Sequence, residues 1–299
     1  MNDGNLKISI VLTSYNYEQY ISECIQSVID QTFTNWELII IDDGSKDNSI
    51  NIIKEFCSKD ERIKLFTHPQ NENKGLQKTL EYGINLANNQ WITLLESDDI
   101  LSCDYLEKKS DVIKKYNDDI NLIFNECEIF GDKKRIERIS RSMKRTRKKL
   151  RKKKYPANMF YDFYCDNNIF TFSSVTVKKS DLLKIDFNTP IDCLLDWWIY
   201  IQLAHLNNFY YIPSNLTKWR LHPSSYINKS KQKSPFALQT KAYYKIYKNT
   251  RSKKILAFII YGQICWIFKK INHKIEKLFI ITTKYIKGEK KFLDLLKNK

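Results

Sequence analysis

Short β-branched runs and amphipathic stretches alternate along residues 7–125. Ile8–Leu12 reads as a buried strand, after which Ile21, Cys24, Ile25, Val28 and Ile29 recur at the spacing of one helical face. Glu37–Ile41 predicts a second strand that ends in Asp42-Asp43-Gly44-Ser45. A helix over about 47–57 follows, with Asp47 as its N-cap and Ile52, Ile53 and Phe56 inward. The alternation continues with strands at Ile63–Phe66, Trp91–Leu95 and Ile120–Phe124, and helices at 76–88 and 102–116.

A β-α-β-α order implies a mainly parallel sheet with helices on both faces, because parallel neighbours need crossover connections. In such sheets the ligand lies beyond the carboxyl ends of the strands. Three polar clusters stand there: Thr13-Ser14-Tyr15-Asn16, Asp42-Asp43-Gly44-Ser45 and Glu96-Ser97-Asp98-Asp99.

Charge changes this picture only after it is divided along the chain. The total is +16 over 299 residues, but residues 133–154 hold fourteen Lys/Arg against Glu137, and residues 241–299 hold sixteen against Glu276, Glu289 and Asp294. The remaining body is acidic, so the basicity belongs to two segments with separate explanations. The seven glycines fall in neither a dinucleotide fingerprint nor a P-loop, and the seven cysteines contain no C-x-x-C pair. A polar N-terminus without a signal-like apolar region and an odd cysteine count point to reduced thiols and a cytoplasmic address. The apolar run Ile255–Phe268 is shorter than the roughly 20 residues needed to span a bilayer.

Glu96, Asp98 and Asp99 crowd three carboxylates onto one strand end, which is unfavourable unless a cation or solvent compensates. A solvated turn capping the next helix would explain them, and so would Mg²⁺ or Mn²⁺ held by one or two carboxylates together with a substrate diphosphate. The second acidic pair, Asp42-Asp43, favours a nucleotide-diphosphate site.

Five motifs, in order and in spacing, resemble family 2 glycosyltransferases. They are Ile8–Asn16, Ser27–Phe33, Glu37–Ser45, Asn73-Lys74-Gly75 and Ser97-Asp98-Asp99. The resemblance is dense over 7–105, sparser over 168–225, and fades after about 240. It implies a GT-A fold (Rossmann-like, mainly parallel α/β) and inverting transfer from a nucleotide-diphosphate sugar, a UDP-sugar by expectation. By position, Thr13 and Tyr15 would hold the nucleotide, Asp43 the base or ribose, and Asp98 the diphosphate. Asp99 would be the protein ligand of the metal. Where the family often has Asp this chain has Glu96, left outside the metal set, and its common Arg-Asn is Leu80-Glu81, with Lys78 as a substitute cation. Leu195-Asp196-Trp197 falls where the family shows Glu-Asp-Trp, which makes Asp196 the candidate general base. A carboxylate at a helix start is the plainer reading of that residue. Trp219–Ser225 resembles an aromatic-Arg-x-His-x-x-Ser element that would bring Arg220 and His222 to the diphosphate. Trp197 and Trp198 suit sugar stacking or packing equally, while His68, His205 and His273 read as surface or packing residues.

The run 133–154 reads as a solvated loop or helix unable to pack, with anionic lipid or nonspecific RNA as sharper partners. The tail mixes lysine with Tyr243, Tyr244, Tyr247 and Ile255–Phe268, which suits either a membrane interface or a helical pair packed on the body. The expected organisation is a catalytic domain over 1–240, with donor half 1–130 and acceptor half 155–240, then a basic helical extension over 241–299. The expected partners are a nucleotide sugar, a glycan or lipid-linked glycan acceptor of polysaccharide biosynthesis, and an anionic inner membrane face, with no specific nucleic acid. A catalytically degraded relative binding membrane or RNA is the alternative. A nucleotidyltransferase would also pair acidic strand ends with a metal, but its phosphate loop near the first strand is missing.

Overall fold

In the computed structural model, residues 6–165, 167–189 and 194–223 are described, together with isolated positions between 243 and 260. The chain divides into two compact units, Met1–Ser230 and Lys231–Lys299. Apart from those isolated positions, the expected extension over 241–299 lies outside the described residues, as do Ser224 and Ser225.

Strand β1 (Ile8–Ser14) is followed by α1 (Ile21–Ile29), β2 (Trp36–Asp42), α2 (Ser49–Lys59), β3 (Ile63–Thr67), α3 (Leu76–Leu86) and β4 (Trp91–Glu96). Then come β5 (Ile100–Leu101), α4 (Tyr105–Tyr116), β6 (Ile120–Gly131), α5 (Lys133–Leu150), α6 (Phe160–Cys165), β7 (Val175–Lys178), α7 (Lys179–Leu182), α8 (Leu195–Leu206) and β8 (Asn208–Leu221). The strands form one sheet in the order β3-β2-β1-β4-β7-β6-β8-β5. The first four are mutually parallel, β7 runs antiparallel to both neighbours, β6 and β8 are parallel, and β5 is antiparallel to β8. The sheet is thus mainly parallel, as the alternating pattern requires.

Both faces are covered. Ile8, Ile10, Leu12, Leu38 and Ile40 share a buried core with Ile25 and Val28 of α1, Ile53 of α2 and Leu106 of α4. Each such side chain contributes roughly 1.5–3 kcal/mol by leaving water. Val11 and Ile41 point to the opposite face, where α3 approaches closely: a Cβ added at Gly83 would lie 2.4 Å from Val11 Cγ1.

Three sequence expectations are corrected. The strand expected at Ile120–Phe124 continues to Gly131, because its polar Asn125 and Glu126 are buried with partners: Asn125 Nδ2 donates to Thr217 Oγ1 at 3.1 Å. The helix expected from 102 starts at Tyr105, after the two-residue strand β5 pairs Ile100 and Leu101 with Lys218 and Thr217. Residues 133–154, expected to be unable to pack, contain α5, which buries Met143, Thr146 and Leu150. Asp132 caps it by accepting from the amides of Lys134 and Arg135.

The turn after β2 depends on Gly44, whose φ of 81° is left-handed and whose added Cβ would sit 2.6 Å from the Asn71 carbonyl oxygen. Gly44→Ala should therefore destabilise the fold by about 2 kcal/mol or more, since backbone cannot yield as a side chain can. Urea unfolding of the purified variant checks this.

Candidate functional site

The parallel register sets the carboxyl ends of three strands level: Ser14 pairs with Asp42, and Thr13 with Glu96. The loops beyond them are stitched together. The Asp43 amide donates to the Ser14 carbonyl at 2.8 Å, the Asn16 amide to Ser45 Oγ at 2.9 Å, and the Lys46 amide to Asn16 Oδ1 at 2.7 Å. Asp42 accepts from the Ser45 amide and hydroxyl. Asp43 is buried and accepts from the amides of Lys74 and Gly75 at 2.7 and 2.9 Å, so it clamps the 68–75 loop. His68 supports it from behind, its Nε2 3.5 Å from Asp43 Oδ1 and 2.9 Å from Thr79 Oγ1. Thr13 is half-buried and Tyr15 exposed on this rim. Lys78 is exposed on α3 beside Glu81, with no hydrogen bond to the acidic cluster among the described residues.

The acidic turn after β4 is held from the far half of the chain. Strand β8 delivers the Arg220 amide to Asp99 Oδ1 at 3.0 Å and Arg220 Nε to the Asp98 carbonyl at 2.9 Å. The Arg220 guanidinium lies between the rings of Tyr20 and Phe130, 4.7 and 4.4 Å from their centroids, and pairs with Glu23. His222 Nε2 is 2.9 Å from Asp98 Oδ2, and its ring packs against Tyr17 and Tyr20. A cavity of about 540 Å³ opens beside these groups, lined by Tyr20, Lys133, Lys134, Arg220 and His222 among others.

Thr171 is the residue that sequence reasoning missed. Its Oγ1 lies 2.7 Å from Glu96 Oε2 and 2.6 Å from Asp99 Oδ2. One hydroxyl hydrogen cannot donate to both carboxylates at once, so a proton or a cation beside the hydroxyl is needed to satisfy the pair. The electrostatics agree: burial, then the neighbouring Asp98 charge, pushes the Glu96 carboxyl up to about 8, and the same causes raise Asp99 well above the usual carboxylate range. The Tyr17 phenol is likewise held protonated by burial and by the three acids. Nothing local in the sequence marks Thr171, which lies 75 residues from Glu96.

This crowding of carboxylates fits a divalent cation. Among the described residues no three His, Cys, Asp or Glu side chains are gathered tightly enough to hold one unaided. Substrate oxygens would have to complete its shell. Asp99, which the family resemblance makes the metal ligand, is fully buried with both oxygens engaged. Asp98 keeps its Oδ1 without a hydrogen-bond partner among the described residues.

Asp196 stands half-buried in the first turn of α8 and accepts from Asn167 Nδ2 at 2.7 Å. Burial pushes its carboxyl up to about 6, outweighing the opposing pull of the helix-terminal amides and Asn167. It lies close enough to Glu96 for its charge to raise that carboxyl further. Trp197 and Trp198 are buried, and their indole N–H groups donate to the carbonyls of Phe163 and Asp186, so they pack rather than offer a face to a sugar.

The family model for glycosyl transferase family 2 matches residues 9–172, more than half of the chain. The chain belongs to that family. An uncharacterized glycosyltransferase of Haemophilus influenzae is 43% identical over 102 residues, which is 34% of this chain and 40% of that protein. The Escherichia coli protein WfgD, a UDP-Glc:alpha-D-GlcNAc-diphosphoundecaprenol beta-1,3-glucosyltransferase, is 30% identical over 73% of this chain and 78% of its own length. Among solved structures, Staphylococcus aureus TarS with UDP-GlcNAc superposes with a TM-score of 0.61 at 16% identity, covering 81% of this chain and 67% of that one. A mannosyltransferase from Pyrobaculum calidifontis with GDP-Man and Mn²⁺ gives 0.56 at 12% identity, over 86% and 68%. The family 2 chain therefore has the GT-A fold.

Replacing Thr171 by Val removes the hydroxyl that bridges one oxygen each of Glu96 and Asp99. The variant should lose about 1–3 kcal/mol of stability. Thr171→Ser, which keeps the hydroxyl, should lose less than half as much, and denaturant unfolding of the pair measures the difference.

Proposed function

We propose that this family 2 protein transfers a sugar, with inversion, from a nucleotide-diphosphate sugar to a hydroxyl of a glycan or lipid-linked glycan in polysaccharide biosynthesis. The observation that carries the reading is the convergence of an acidic strand-end cluster with a separate carboxylate, Asp196, whose elevated pKa suits a base. A UDP-sugar is the favoured donor, since both WfgD and TarS are named with one.

In this reading Thr13, Tyr15 and Asp43 form the nucleotide end of the site. Asp98 is the carboxylate that would hold Mn²⁺ or Mg²⁺, and Asp99 sets the turn behind it through Thr171 and the Arg220 amide. When bound, such an ion would offset the negative charge of the departing diphosphate. Arg220 adds positive charge and His222 a ring nitrogen at the same edge, with Arg220 fixed in place by its two aromatic neighbours. Lys78, exposed on α3, contributes through solvent at most. Asp196 accepts the proton of the acceptor hydroxyl as that oxygen attacks the anomeric carbon from the face opposite the diphosphate. Desolvation raises its basicity, and Asn167 orients it by its hydrogen bond to one oxygen.

Asp196→Asn should reduce transfer at least 10²-fold while leaving UDP affinity within twofold, as read by UDP release and isothermal titration. Full turnover by that variant would refute the base assignment. Because the base must be ionised, kcat/KM should rise with pH through an apparent pKa of about 6 and then level off. A rate that falls over this range contradicts the role. Asp98→Asn should lose the Mn²⁺-dependent part of UDP binding, and the comparison of titrations with and without Mn²⁺ reads it directly.

A further inference from the structure

Helix α5 has two sides with different charge states. Inward, Ile136, Ile139, Met143, Thr146 and Leu150 follow helical spacing and lie half-buried or buried. The cations flanking that stripe are neutralised by the body. Arg147 and Arg151 meet the buried carboxylate of Glu126, and Lys149 and Lys153 meet that of Asp162 at 2.8 and 2.7 Å. On the opposite side, Lys134, Arg141, Arg145 and Lys148 stand in line at i, i+7, i+11 and i+14, all exposed, with Arg138 beside them. The single acid on the helix is Glu137. Eighteen residues make a cationic edge about 27 Å long.

We propose that the outer side of α5 docks this protein on an anionic lipid bilayer. A solvated basic stretch needs no inner apolar stripe and no paired flank; here both pin the helix so that its exposed cations form one straight, outward row. That row matches a flat, diffuse anionic layer. It contains no aromatic side chain between Lys133 and Leu150, so it offers no stacking platform to nucleic-acid bases. Its placement gives the docking a purpose. The first turn of α5 supplies Lys133 and Lys134 to the cavity that also holds Arg220 and His222, so a headgroup layer lying along the helix reaches the mouth of the site. This last consequence, delivery of a lipid-carried acceptor, rests on the function proposed above; the docking does not.

The test is flotation of the full chain with liposomes. Vesicles of phosphatidylcholine with phosphatidylglycerol are compared with phosphatidylcholine alone at physiological salt. The wild type should float with the anionic vesicles only and be released at high salt. Each exposed cation near such a surface changes partition roughly fivefold, so Arg138→Gln/Arg141→Gln/Lys148→Gln should bind on the order of a hundredfold more weakly. Its circular dichroism and its UDP release in vesicle-free solution should match wild type. Undiminished flotation of the triple variant overturns the proposal and moves any membrane contact to another segment. Equal binding to neutral vesicles overturns it too, as does capture by RNA without capture by vesicles. Anionic-specific flotation of a chain that turns over no nucleotide sugar supports the docking and defeats the catalytic reading alone.

Discussion

The Thr171 hydroxyl set between Glu96 and Asp99 is the interaction around which this site is arranged. Three acids on one turn repel each other, and full burial of Asp99 removes the water that would soften the repulsion. The fold answers with a hydroxyl from the segment before β7, a backbone amide from β8, and a histidine on the outer acid. Those three donors come from beyond residue 170, while the acids come from before residue 100. The two halves of the molecule are thus joined at the site itself.

Strand β8 has the largest part in that junction. It is fourteen residues long, pairs with β6 in parallel, and reaches past the bulges near Asn125–Cys127 to pair with β5 just after the acidic turn. Hydrophobic packing holds its ends, but its position against the turn is fixed by polar contacts and by the stacking of Arg220 between Tyr20 and Phe130. Direction is what hydrogen bonds add to burial, and here it aims Arg220 and His222 at Asp98.

Helix α5 shows the same division of labour on the surface. Glu126 is buried on β6, and on its own would be costly; it is stabilised by Arg147, Arg151 and the Tyr211 hydroxyl. Those pairs depress its pKa against the effect of burial. A helix with fourteen nearby cations can therefore pack, provided the sheet beneath supplies buried acids at matching positions.

The chain's own pattern determined the alternating half of the fold, because buried parallel strands and amphipathic helices each impose a period that local residues must obey. It also placed the candidate acids, since strand ends are punctuated by polar residues in the sequence itself. The motifs carried the family and, through it, Asp196, Arg220 and His222 as residues of interest. Tertiary structure alone decided the partners of each acid. Asp98 and Asp99 are adjacent in sequence, yet one meets His222 at the cavity edge and the other is sealed by Thr171 and the Arg220 amide. It likewise decided that Trp197 and Trp198 are core and that the basic run packs. Burial, protonation and partnership depend on groups far apart in the chain, and no local period encodes them.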